Sequence, residues 1–287
     1  MNRKDGIKLK KKDGMHSLMP FIMKSRADAD VYINEKVDVT ELVKYVDNLK
    51  KKKGYEHITY FHVFSMAVGK IFYNRPLLNR FIINKEYYDR KFVSLSFVAK
   101  KQFNDTSEET LSVVKVEPND NLLSLSKKIS KKVKNTRESK NNNTDDFIDK
   151  IGKLPKLIRW LIVKIIIFAD NHDLLPSSLT DNLIYYSSVI LSNLGSIECD
   201  GAIYHHLTDF GTNSILMTIG KIKEEPRVIN GKIEIRKICE FGINLDERIA
   251  DGYDFVKSLE LFDYILNNPK LLEDDANTIV EKKSKNE

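Results

Sequence analysis

The chain has 287 residues, 41% of them hydrophobic, enough to bury one large core or two modest ones. Its net charge of +6 comes mostly from lysine runs such as 8–12 and 50–53, which lack interleaved arginines and aromatics and so argue against nucleic acid as a partner. Two cysteines, Cys199 and Cys239, are too few for a disulfide framework or a zinc site, and the charged N-terminus lacks the apolar stretch of a signal peptide, so a cytoplasmic protein with reduced thiols and no bound metal is expected.

In chain order, residues 1–14 are polar and read as an arm with little structure of its own. Residues 31–39 read as a strand. A helix starts at Asp38 or Thr40, with Leu42, Val43, Val46 and Leu49 at amphipathic spacing. A second helix covers 62–73 and stops at Asn74-Arg75-Pro76. A hairpin over 78–83 and 87–89 leads to strands at 92–98 and 110–116, expected to pair antiparallel, and then to a helix from Asn121 through Val133. The polar tract 134–146 reads as a loop.

Residues 157–169 are apolar apart from two cations and lie between Pro155 and Pro176. The run falls short of the roughly 20 residues of a membrane span. It is expected to be a helix buried in the core or in a subunit interface, in preference to one lying on a membrane. Strands at 187–191, 214–221 and 233–244 follow, and the charged tail after Glu273 is expected to fray. The alternation of strands with occasional helices gives an α/β layer structure with a mixed or largely antiparallel sheet. No internal repeat is present, and no glycine-rich phosphate loop opens a strand-to-helix turn.

The stretch with most chemical content is Asp246-Glu247-Arg248-Ile249-Ala250-Asp251-Gly252, which runs into a helical pattern. It resembles the active-site signature of the chloramphenicol acetyltransferase and dihydrolipoyl acyltransferase families, in which a His, three spacers and Asp-Gly lead into a helix. Glu247 stands at the position of the His. Three further places are similar to the dihydrolipoyl acyltransferase catalytic domain, in the same order: Val37-Asp38-Val39-Thr40-Glu41-Leu42, Arg75-Pro76-Leu77-Leu78-Asn79 and Ser192-Asn193-Leu194-Gly195.

The resemblance implies a chloramphenicol acetyltransferase-like two-layer α/β sandwich over residues 15–272, with a mixed, mostly antiparallel sheet, helices on one face, and a charged tail at 273–287. It leaves no room in this chain for a lipoyl domain or a peripheral subunit-binding domain. It implies a homotrimer with sites at subunit interfaces, taking acyl-coenzyme A and an unknown acceptor; membrane association is not expected, because the apolar run 157–169 is short and carries two cations. Ser192 matches the hydroxyl that stabilises the oxyanion, although a strand-ending Ser before Asn-Leu-Gly equally stabilises a turn. Asp251 matches an Asp that pairs with an arginine, here Arg26, to brace the loop; the competing reading is a helix N-cap. Asn193, His205 and His206 fall near the implied substrate channel, where a loop histidine is more often a surface residue.

A carboxylate starts about two pKa units below imidazole as a base and recovers that deficit only in apolar surroundings. The expected function is therefore a free-standing coenzyme-A-dependent acyltransferase with an altered general base. The alternative is a non-catalytic trimeric homologue that binds a ligand or serves as a scaffold.

Overall fold

The computed structural model describes residues 2–100, 109–138, 150–201 and 203–281. The strands are β1 (Gly6–Lys8), β2 (Asp30–Asp38), β3 (Arg80–Ile83), β4 (Glu86–Arg90), β5 (Val93–Lys100), β6 (Glu109–Val116), β7 (Val189–Asn193), β8 (Ile215–Ile219), β9 (Lys223–Ile229) and β10 (Lys232–Asp246). The helices are α1 (Gly14–Ile22), α2 (Thr40–Leu49), α3 (Tyr60–Asn74), α4 (Leu122–Glu138), α5 (Lys156–Asn171), α6 (Ser177–Thr180) and α7 (Gly252–Asn267).

One mixed sheet runs in the order β2-β10-β8-β7-β5-β6, with β9 paired to β10, and a small sheet β1-β4-β3 stands apart. Strand β7 is parallel to both β5 and β8, while the other pairs are antiparallel. Alternation along β10 sets the layers. Cys239, Phe241, Ile243 and Leu245 join the main core, into which α2, α3, α4 and α7 pack Leu42, Val63, Met66, Leu125 and Ile265. These helices cover one face of the sheet, which is the chloramphenicol acetyltransferase-like sandwich.

The opposite face is also buried and more polar, although Ile190 and Leu216 form a small apolar cluster on it with Ile184 and Leu207. Ser96, Thr218, Asn244 and Asp246 are each at most 2% exposed. Irregular chain crosses this face, and its backbone needs partners that water does not supply there. Thr218 Oγ1 accepts from Ile203 N and donates to Ile203 O, Asn244 Oδ1 accepts from His205 N, and Asn213 Nδ2 donates to Ser187 O.

Several expectations change. The first 14 residues are not a free arm: β1 pairs with β4, and Arg3 and Asp5 are buried, because Arg3 is held by Asp5 and Asp170. Helix α4 extends to Glu138, into the tract read as a loop; the rest of that tract, 139–146, lies outside the described residues. The tail stays packed as far as it is described, since Ala276 N donates to Asp120 O, Val280 N to Asn74 Oδ1, and Lys70 Nζ to Asp275 O. The strand expected at 233–244 is the second arm of a hairpin, β9-β10, whose Asn230-Gly231 turn, with both residues at positive φ, is a strong hairpin signal. The apolar run forms α5 as a helix, but it is not core: Leu157, Trp160 and Phe168 are exposed.

Candidate active site

Strand β10 ends at Asp246 and α7 begins at Gly252, so residues 247–251 form the turn between them. Both neighbours of Glu247 are buried and locked together. Arg248 Nε and Nη2 each donate to an Asp246 carboxylate oxygen at 2.7 Å, a bidentate pair at 3% and 0% exposure. Arg248 Nη1 also donates to Met23 O at 2.6 Å. Burial opposes the guanidinium charge, but hydrogen bonding and attraction to Asp246 outweigh it and raise the Arg248 pKa. The backbone of Glu247 is fixed by its own N–H to Ala29 O at 2.9 Å. Its side chain is half-buried, and among the described residues no group hydrogen-bonds the carboxylate.

Arg26 and Asp251 are not brought together within the chain. Asp251 is exposed and caps α7 by accepting from Asp254 N at 2.9 Å. Arg26 is 3% exposed and holds backbone instead: Nη1 donates to Thr208 O and Asp209 O, and Nη2 to Ile82 O and Gly211 O. Desolvation lowers its pKa. It knits the β3 strand to the segment around 208–211, while the bracing of residue 247 falls to Asp246 and Arg248. The sequence contained that pair at i, i+2, but short spacing alone did not single it out.

Ser192 lies near the end of β7 on the polar face and is half-buried, level with Thr218 of β8. Thr218 in turn pairs with Gly242 of β10. Glu247 is therefore five residues further along and two strands across, roughly 19 Å away at about 3.3 Å per residue and about 4.8 Å per strand. A single chain does not bring these two residues into one reaction.

His205 and His206 are exposed and their rings stack at 5.9 Å. Their segment runs from Thr218, beside Ser192, toward the Glu247 end of β10. It is pinned by His205 N to Asn244 Oδ1 at 3.1 Å and by Tyr204 Oη to Asp30 Oδ2 at 2.9 Å.

Asn193 alternates to the helix side and lines a cleft of about 840 Å³. The rest of the wall comes from the start of α3 (Tyr60, Phe61, His62), from α4 (Ile129, Val133, Lys134) and from the chain after β8 (Gly220, Lys221). The glycine of Ser-Asn-Leu-Gly is needed here, since a Cβ on Gly195 would sit 2.7 Å from Gly220 O. The cleft is apolar inside, with lysines at Lys134 and Lys221. His62 keeps a neutral ring, pushed down to about 4 by burial and then by His57, with Nδ1 accepting from Thr59 N at 3.0 Å. The sequence reading did not find these cleft residues: each one is an ordinary core or helix-start residue in one dimension, and only the fold gathers them. Among the described residues no group of three His, Cys, Asp or Glu side chains is placed to hold a metal.

A mixed sheet faced on one side by helices, with a clamped strand-turn-helix at one end and a cleft beside the Ser-Asn-Leu-Gly turn, defines a chloramphenicol acetyltransferase-like acyltransferase fold. The family model described as 2-oxoacid dehydrogenases acyltransferase (catalytic domain) matches residues 172–273, which contain both motifs. Among solved structures, a probable dihydrolipoamide acetyltransferase from Listeria monocytogenes is similar at 16% identity and TM-score 0.59, over 92% of this chain and 95% of that one. A truncated catalytic core of the 2-oxoacid dehydrogenase multienzyme complex from Thermoplasma acidophilum is similar at 16% identity and TM-score 0.57, over 92% and 99%. A chloramphenicol acetyltransferase follows at 11% identity and TM-score 0.51, over 91% and 99%. No curated protein matches by sequence.

Proposed function

We propose that the protein is a free-standing acyltransferase that takes its acyl group from acyl-coenzyme A, in sites shared between copies of a homotrimer. The observation that carries this reading is the turn at 246–248, where a buried ion pair fixes both neighbours of Glu247 and, among the described residues, no group hydrogen-bonds its carboxylate. A side chain so held is suited to meet a substrate. The cleft beside Asn193 has apolar walls suited to a pantetheine arm.

In this mechanism Glu247 accepts the proton of an acceptor thiol or hydroxyl as that atom attacks the thioester carbonyl. Ser192 Oγ of a neighbouring copy donates to the developing oxyanion. Collapse breaks the carbon–sulfur bond, and the proton held by Glu247 passes to the departing coenzyme A thiolate. General-base catalysis is worth about 10²–10⁴ in rate, and one oxyanion donor about 10²–10³.

The test is thiol release across a panel of acyl-coenzyme A donors and small acceptors, with wild type, Glu247→Gln and Glu247→His. Wild-type turnover that falls about a hundredfold or more in Glu247→Gln, and persists in Glu247→His, supports the reading. Full turnover in Glu247→Gln removes Glu247 as base. Coenzyme A binding with no turnover of any donor leaves a non-catalytic binding protein.

A further inference from the structure

Helix α5 carries an open apolar stripe along its whole length. Leu157, Leu161, Ile165 and Phe168 recur on one side and are 76%, 53%, 57% and 60% exposed. A different edge fixes the helix to the body, where Ile166 and Ala169 pack against Leu175, Leu183 and Tyr186. At the C-terminal end Arg3 Nη1 donates to Asp170 O at 2.6 Å. The helix is thus held at a fixed angle while its stripe faces outward. Contiguous apolar surface of this kind marks a docking site in a soluble fold.

Charge selects the occupant. Residues 150–169 contain Lys150, Lys153, Lys156, Arg159 and Lys164, all exposed, and no Asp or Glu. Lys156, Trp160 and Lys164 form the row next to the stripe, on the side away from the body, with Lys164 Nζ 5.9 Å from the Trp160 ring centroid. An apolar stripe bordered by lysines and a tryptophan matches the layering of a bilayer interface, where acyl chains lie below anionic headgroups. Two copies of α5 packed face to face across a two-fold would set these cations against one another, because the one acid of the helix, Asp170, is buried at its C-terminal end and paired with Arg3. The family model begins at residue 172, just after α5. With 16 residues the helix is about 24 Å long, short of the roughly 30 Å hydrocarbon core, so it can lie on a bilayer and not cross it.

We propose that α5 docks the protein on an anionic phospholipid surface, with the Leu157-Leu161-Ile165-Phe168 stripe in the acyl boundary and Lys156 and Lys164 among the headgroups. This reading is independent of the acyltransferase chemistry. The test is flotation of the full chain with vesicles of mixed phosphatidylglycerol and phosphatidylcholine, against vesicles of phosphatidylcholine alone. Wild type floats with the mixed vesicles, less so as salt is raised. The double variant Leu161→Glu and Phe168→Glu loses at least about tenfold in bound fraction. The double variant Lys156→Glu and Lys164→Glu loses the preference for anionic vesicles. Every substituted side chain is exposed, so the helical circular dichroism signal stays at the wild-type level. Light scattering on the same samples separates the competing occupant: an oligomer unchanged by Leu161→Glu and Phe168→Glu supports lipid docking, whereas a smaller one makes α5 a contact between copies and overturns it. Failure of the wild type to float, or flotation unaffected by either variant, overturns it as well.

Discussion

Asp246 and Arg248 form a buried ion pair whose value lies in where it sits, one residue to either side of Glu247. Such pairs add little net stability when complete, because desolvation consumes most of the attraction, but removing one partner strands the other charge. Asp246→Asn is therefore expected to cost about 3–5 kcal/mol, read as a lower denaturation midpoint, and to abolish thiol release. Glu247→Gln should leave the midpoint near wild type while losing turnover, because among the described residues no group hydrogen-bonds its carboxylate. If Asp246→Asn leaves both midpoint and turnover intact, the clamp has no role. The sequence made residue 247 legible through its flanking motif but misassigned the brace. An Arg26–Asp251 pair was plausible in one dimension, yet Asp251 sits first in line to cap α7, and Arg26 finds four carbonyls that no local pattern reveals.

The start of α3 is closed by a capping box with His62 in the place more often taken by Glu or Gln. Its Nδ1 must be unprotonated to accept from Thr59 N, and the ring is pushed down from 6.5 to about 4, mainly by burial. The unfolded chain takes up this proton first as the pH falls. The stability that requires a neutral, buried His62 is thus complete above pH 6.5 and drains away between 6.5 and 4, by about 3 kcal/mol at most. Urea denaturation should show wild type losing more stability than His62→Gln between neutral pH and the lower end of that window; parallel losses would remove His62 as the cause. Elements with strong periodicity were readable, as α2, α3 and the β5-β6 pair show, because one wetted and one dry face write themselves into the spacing. The failures share a different cause. For β1 and the packed tail, the stabilising partners are distant in sequence. For α5, apolar content predicts burial somewhere, while only the assembled chain shows that its own core does not provide it.

For the molecule as a whole, the decisive quantity is the separation of roughly 19 Å between Ser192 and Glu247 implied by the register of β7, β8 and β10. Proton transfer and oxyanion stabilisation act on atoms within about 3 Å of each catalytic group, so under the proposed mechanism one chain would offer two half-sites, neither of them complete. A symmetric assembly that places the Glu247 turn of one copy against the Ser192 strand of the next resolves this, and the arrangement has a signature that no intrachain site can imitate. Glu247→Gln and Ser192→Ala should each be nearly inactive alone. When the two variants are mixed equally and allowed to exchange subunits, about a quarter of the interfaces pair a native Glu247 with a native Ser192, and thiol release should return to about that fraction of wild type. Native mass spectrometry would verify that mixed oligomers have formed. Verified mixed oligomers without recovered activity would place both residues in the same chain's site, or outside catalysis, and would defeat the shared-site mechanism. Recovery would place the reacting atoms at an interface between copies, with the acyl donor bound by one chain and the acceptor deprotonated by its neighbour.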